Sequence, residues 1–135
     1  MANALYDTFK EGLLNKEHDL NTDTIKATLI DGDDYTFSAA HSDYGTGTPD
    51  VAAAAKVAES SALATPTITN GTFDTADFTW STVTGDESEN IILWNDTLAN
   101  DALIAFYDTG MTGMPVTPNS GDINVTVNGS GWFSL

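Results

Sequence analysis

Cysteine, arginine and long apolar runs are all missing from this 135-residue chain. Without cysteine there is no disulfide frame, no thiolate nucleophile and no cysteine zinc site. Without arginine, only Lys10, Lys16, Lys26 and Lys56 stand against 20 acids, and the formal charge is −16. Such a surface cannot gain from counterion release on a phosphate backbone, so nucleic acid is not an expected partner. No apolar run approaches the ~18 residues of a membrane span, and the start has neither a basic n-region nor an apolar h-region. The expectation is a soluble protein without a membrane partner or a cleaved export signal.

What is present is one domain's length of alternating, β-branched sequence. In the last third, Ile123, Val125 and Val127 alternate with Asn124, Thr126 and Asn128, the period of a strand with one wet face. Asn128-Gly129 suits a tight hairpin turn, which predicts that Trp132 to Leu135 folds back along Ile123 to Val127. Thr67-Ile-Thr, Asn70-Gly71 and Thr72-Phe73 read as a second hairpin. Ile91-Ile-Leu-Trp94 is apolar on both faces and predicts a central strand, and Ile25, Ala27 and Leu29 share one face of another. Phe78, Trp80 and Thr82 share a face of a further strand. Residues 38–50, rich in Ser, Gly, Thr and Asp, predict a long loop. The alanine-rich stretch Val51 to Leu63 suits a helix by propensity and a strand by the alternation of Lys56 to Ser61; an extended segment is expected.

From Asn3 to Lys16, Leu5, Phe9, Leu13 and Leu14 recur at helical spacing, with Asn3 as the expected cap. Gly12 weakens this helix by about 1 kcal/mol, so it must lean on something larger. It either packs on its own domain or serves as a docking arm. About eight short strands at roughly ten-residue intervals predict a mainly β chain, a single antiparallel β-sandwich or jelly-roll-like domain with a short N-terminal helix. Residues 1–20 form the expected helical arm and 21–135 the sandwich.

Side chains with chemistry are sparse. His18 and His41, at a helix end and in a loop, have no second histidine at metal-ligand spacing and read as surface residues, and no Gly-x-Ser-x-Gly elbow occurs. Asp31-Gly-Asp33-Asp34 offers hard oxygens but lacks the ligand spacing of a calcium loop, and reads as a solvated turn. Four Asn-x-Ser/Thr triplets follow from an Asn- and Thr-rich composition. No catalytic site, cofactor or metal is expected. A competing reading is a carbohydrate-binding β-module with Trp80, Trp94 or Trp132 as sugar platforms.

Met-Ala-Asn-Ala-Leu-Tyr-Asp at the start, Asp23-Thr-Ile-Lys-Ala-Thr-Leu-Ile-Asp, Leu103-Ile-Ala-Phe-Tyr-Asp-Thr-Gly and Met114-Pro-Val-Thr-Pro-Asn-Ser-Gly-Asp-Ile resemble, in that order, small structural proteins of tailed bacteriophages. These look like head decoration, or cement, proteins. The chain departs from the pattern at Met114, where Leu is expected, and in the alanine-rich Val51 to Ala58. The resemblance implies a non-enzymatic virion protein made in the host cytoplasm. It would stabilise the shell from the outer surface of the major capsid protein, with a neck or tail position as the alternative.

All four lysines fall in residues 1–56, while the acids divide equally about that point. The N-terminal part is therefore expected to face the capsid through Leu5, Phe9, Lys10, Leu13, Lys16, Lys26 and Lys56. A homotrimer on a three-fold or quasi-three-fold position is expected, because a closed ring multiplies weak contacts. Deleting residues 1–16 is then expected to abolish binding and leave the β-domain folded.

Overall fold

The computed structural model describes residues 3–45 and 48–135. Met1 and Ala2 of the N-terminal stretch, and Thr46 and Gly47 of the expected 38–50 loop, lie outside the described residues. The chain is mainly β, with antiparallel sheets, one short helix and a sandwich-like arrangement, as its alternating sequence predicts.

In chain order the elements are β1 (Ala4–Leu5), α1 (Asp7–Leu14), β2 (Ile25–Ile30), β3 (Lys56–Glu59), β4 (Thr67–Thr69), β5 (Thr72–Asp74), β6 (Phe78–Trp80), β7 (Asn90–Asn95), β8 (Ala102–Tyr107), β9 (Ile123–Val125) and β10 (Phe133–Ser134). A five-stranded sheet runs β1-β8-β7-β2-β3; two small sheets run β10-β5-β4 and β6-β9. The doubly apolar run of β7 places it in the middle of the large sheet, with all six residues buried. In β2, Thr28 and Ile30 are buried as well as Ile25, Ala27 and Leu29, because this sheet is covered on both faces.

One cover is the segment leaving β2, which ends in a 3-10 turn at Ala53–Ala55 before β3. Tyr35 and Phe37 of that segment pack on Phe106, and Tyr44 stacks on Trp94 at 4.1 Å. The Asp50 carboxylate holds it by accepting the N–H groups of Ser42 and Asp43. The other cover is α1 with the two small sheets: Phe9 meets Phe133, Phe133 meets Phe73, and Trp132 bridges Phe78 and Tyr107.

The β4-β5 hairpin turns at Asn70 and Gly71, both at positive φ (51° and 78°), as a two-residue primed turn requires. Residues 51–63 contain both a 3-10 turn and a strand, so the extended expectation holds from Lys56 to Glu59.

Three expectations are corrected. The helix begins at Asp7, since Ala4–Leu5 instead pairs with Ala105 and Phe106 on the β8 edge. Asn3 caps nothing; its Oδ1 accepts the N–H groups of Asp108 and Thr109. An open strand edge with unsatisfied amides outcompetes a first helical turn for these residues. The chain end does not return along β9, which pairs with β6, but joins β5 as β10. Phe133 there gains the aromatic partners Phe9 and Phe73. Residues 3–20 are no separate arm either: Tyr6, Phe9 and Leu20 belong to the single core.

Candidate functional site

The seven expected contact residues do not share a face. Lys26 sits across from Trp94 in the β2–β7 register, on the side covered by Tyr44, and binds Asp96 at 2.8 Å. The Lys56 ammonium lies 3.9 Å from the Tyr44 ring centre and donates to the Tyr44 carbonyl. Burial holds its pKa below the usual lysine value, against the pull of Glu59 and Asp101. Phe9 of α1 packs on the opposite side, against His18 and Phe133, although the first turn of the helix bonds the 38–41 segment through Thr8. Strand alternation decides this: Lys26 shares its parity with Thr28, which bonds Tyr44, and not with the residues that face α1.

Among the remaining five, Phe9 is fully buried and has no surface to offer a partner. Leu5 is half-buried in β1, and Lys10 pairs with Asp7 on the exposed helix surface. Leu13 and Lys16 do meet, at an open and mainly apolar groove of about 460 Å³. Its other walls are Ile68 of β4, Phe133 of β10 and Leu135. Among the described residues, the large hydrophobic side chains left exposed are Leu14, Ile68 and Leu135; the last two line this groove and the first follows Leu13 in the helix. Ile68 is exposed because the β4 edge has no neighbour, although its register partner Phe73 is buried.

His18 is half-buried and lines the groove. Its ring meets Phe9 edge-on at 4.9 Å, and its Nδ1 lies 3.1 Å from Asn95 Nδ2. Asn95 is fully buried at the end of β7. Its Nδ2 also donates to Asp23 at 2.7 Å, and its Oδ1 accepts the Thr97 N–H at 3.0 Å. A carboxylate can only accept and a backbone N–H can only donate, so the amide orientation is fixed and His18 Nδ1 must be an acceptor. Burial lowers the pKa of His18, while Asp23 and Glu17 oppose that shift.

Gly12 is explained by the same ring. A Cβ there would stand 2.7 Å from His18 Cδ2. Gly12→Ala gains about 1 kcal/mol of helix propensity but costs about 1–3 kcal/mol in overpacking, because the ring cannot retreat without losing Asn95. A net loss in chemical denaturation is expected; a gain would show that the ring is free to move.

His41 and two buried phenols are tied together internally. His41 Nδ1 is 2.9 Å from the Tyr35 hydroxyl, which is 2.8 Å from that of Tyr6. Burial raises both phenols, Tyr35 to about 12. Asp31 closes a local turn by accepting the Asp33 N–H, and Glu89 accepts that of Gly32. Among the described residues no group of three or more His, Asp or Glu is placed to hold a metal ion, and no helix is long and apolar enough to cross a membrane. Trp80 and Trp94 are interior, and Trp132 is half-buried with its indole N–H on Thr75, so the three make no shared exposed platform. No protein-family model matches the chain, and no curated protein matches it.

Proposed function

We propose that this is a non-enzymatic virion protein, a capsid decoration protein that docks on the outer surface of the major capsid protein shell through the groove beside α1. The observation that carries this reading is the gathering of exposed Ile68 and Leu135 with Leu13 into one apolar cleft, while the histidines are held in internal hydrogen bonds. Apolar side chains left in water at one place suit a partner surface. Lys16 on the rim can meet capsid carboxylates, whereas most of the remaining surface is acidic. A charge of −16 also suits the outside of a shell, away from packaged DNA. A homotrimer seated on a three-fold position would make three such modest contacts at once.

The test uses purified shells of the major capsid protein that lack this chain. Ile68→Glu combined with Lys16→Glu is expected to weaken binding by more than about tenfold, with little change in melting, since both side chains are exposed. Undiminished binding by the folded double variant would remove the groove from the interface. Copy number on whole particles is a second check: on the order of hundreds agrees with decoration, whereas about six or twelve points to the neck or tail.

A further inference from the structure

We propose that the groove is gated by pH: a proton on His18 Nδ1 breaks the bond from Asn95, loosens the α1–β2 connection and takes the groove apart, so that docking holds near neutrality and is lost in mild acid. The gate concerns the surface assigned above and rests on that reading for its effect on binding.

The geometry admits one protonation state. Both Asn95 Nδ2 hydrogens are committed, to His18 and to Asp23, and Thr97 holds the amide oxygen, so the amide cannot turn over to accept a new N–H. A proton on Nδ1 therefore faces a donor. The side chain of Asn95 is fully buried and out of reach of bulk solvent. Ring motion is limited as well, with Phe9 against one side and Gly12 against the edge. Escape toward the open groove is what remains. The same Asp23 carboxylate accepts the Asp19 N–H at 2.9 Å, which ties the connection to this cluster.

The charged groups around His18 act in both directions. Asp23 and Glu17 favour the imidazolium, and Asp19 and Lys16 line the groove with it. Helix α1 presents Phe9 and Gly12, and β10 presents Phe133, none of which carries charge. Desolvation outweighs the two acids, so the folded pKa lies below the ordinary histidine value of about 6.5. The released state then binds the proton more tightly. Stability of the closed groove is complete above that value and declines as pH falls beneath it.

Amide hydrogen exchange on the full chain tests this. After correction for intrinsic rates, exchange in residues 12–20 is expected to rise about tenfold between about pH 7.5 and pH 5.5, while β7 stays protected. In His18→Gln, whose amide oxygen can still accept from Asn95, the rise should vanish. An equal rise in His18→Gln, or none in the wild type, overturns the gate. An NMR titration of the wild-type His18 ring needs no variant: a midpoint at or above that of a free histidine also overturns it. Binding to shells separates the two readings. If the exchange switches but shells bind at neither pH, the docking reading fails and the gate stands. Equal binding at both pH values leaves docking in place and removes its control by His18.

Discussion

Phe9→Ala is expected to lower the free energy of unfolding by about 3–5 kcal/mol, the cost of a large aromatic removed from a packed interior. Phe9 has no exposed surface and is held edge-on by both His18 and Phe133. Its loss opens a cavity where α1, the connection to β2 and β10 meet. The measurement is urea unfolding of the isolated protein. A change below about 1 kcal/mol would mean that α1 is lightly held and free to act as an arm. Deleting residues 1–16 should for the same reason destabilise the β-domain, since Tyr6 and Phe9 both leave the core with it.

Gly131→Ala should be nearly as damaging, at about 2–5 kcal/mol. Gly131 has φ +78°, and a Cβ there would lie 2.6 Å from the Phe73 carbonyl oxygen and 2.7 Å from Thr72 Cγ2. Backbone stands in the way, so no rotamer change relieves the contact. The neighbouring Trp132 N–H bonds that same Phe73 oxygen at 2.8 Å, and the strain should appear first as loss of β10 from β5. Gly129→Ala is the control, because nothing lies within 4 Å of its added carbon. Equal stability of the two variants would show that β10 is not pinned at Gly131.

The parts of the fold legible in the sequence are those whose cause is local. Asn70-Gly71 supplies two positive φ angles by itself, and Ile91 to Trp94 has no polar face to show to water, so the hairpin and the central strand could be read directly. Residues 128–129 carry the same dipeptide, yet the turn there delivers Phe133 to a strand some 60 residues earlier in the chain. That choice depends on Phe9 and Phe73, which no local pattern connects to it. The start of α1 was misplaced for a related reason: helical spacing cannot register that the β8 edge has amides to satisfy. In the site, Leu13 was legible from helical spacing and Lys16 from its charge, whereas Ile68, Phe133 and Leu135 join them only through the sheet order. The His18–Asn95–Asp23 cluster draws on three segments and leaves no trace in spacing. Lys26 and Lys56 lie in the same half of the sequence as Lys10 and Lys16, but strand parity sends them to the other side of the sheet.

With aromatic-rich chain laid over one face and α1 and the small sheets over the other, the five-stranded sheet has no flat side left for stacking. A second copy therefore cannot stack on this one with its large sheet face against face, and any contact between copies falls to the rims and to the covering segments.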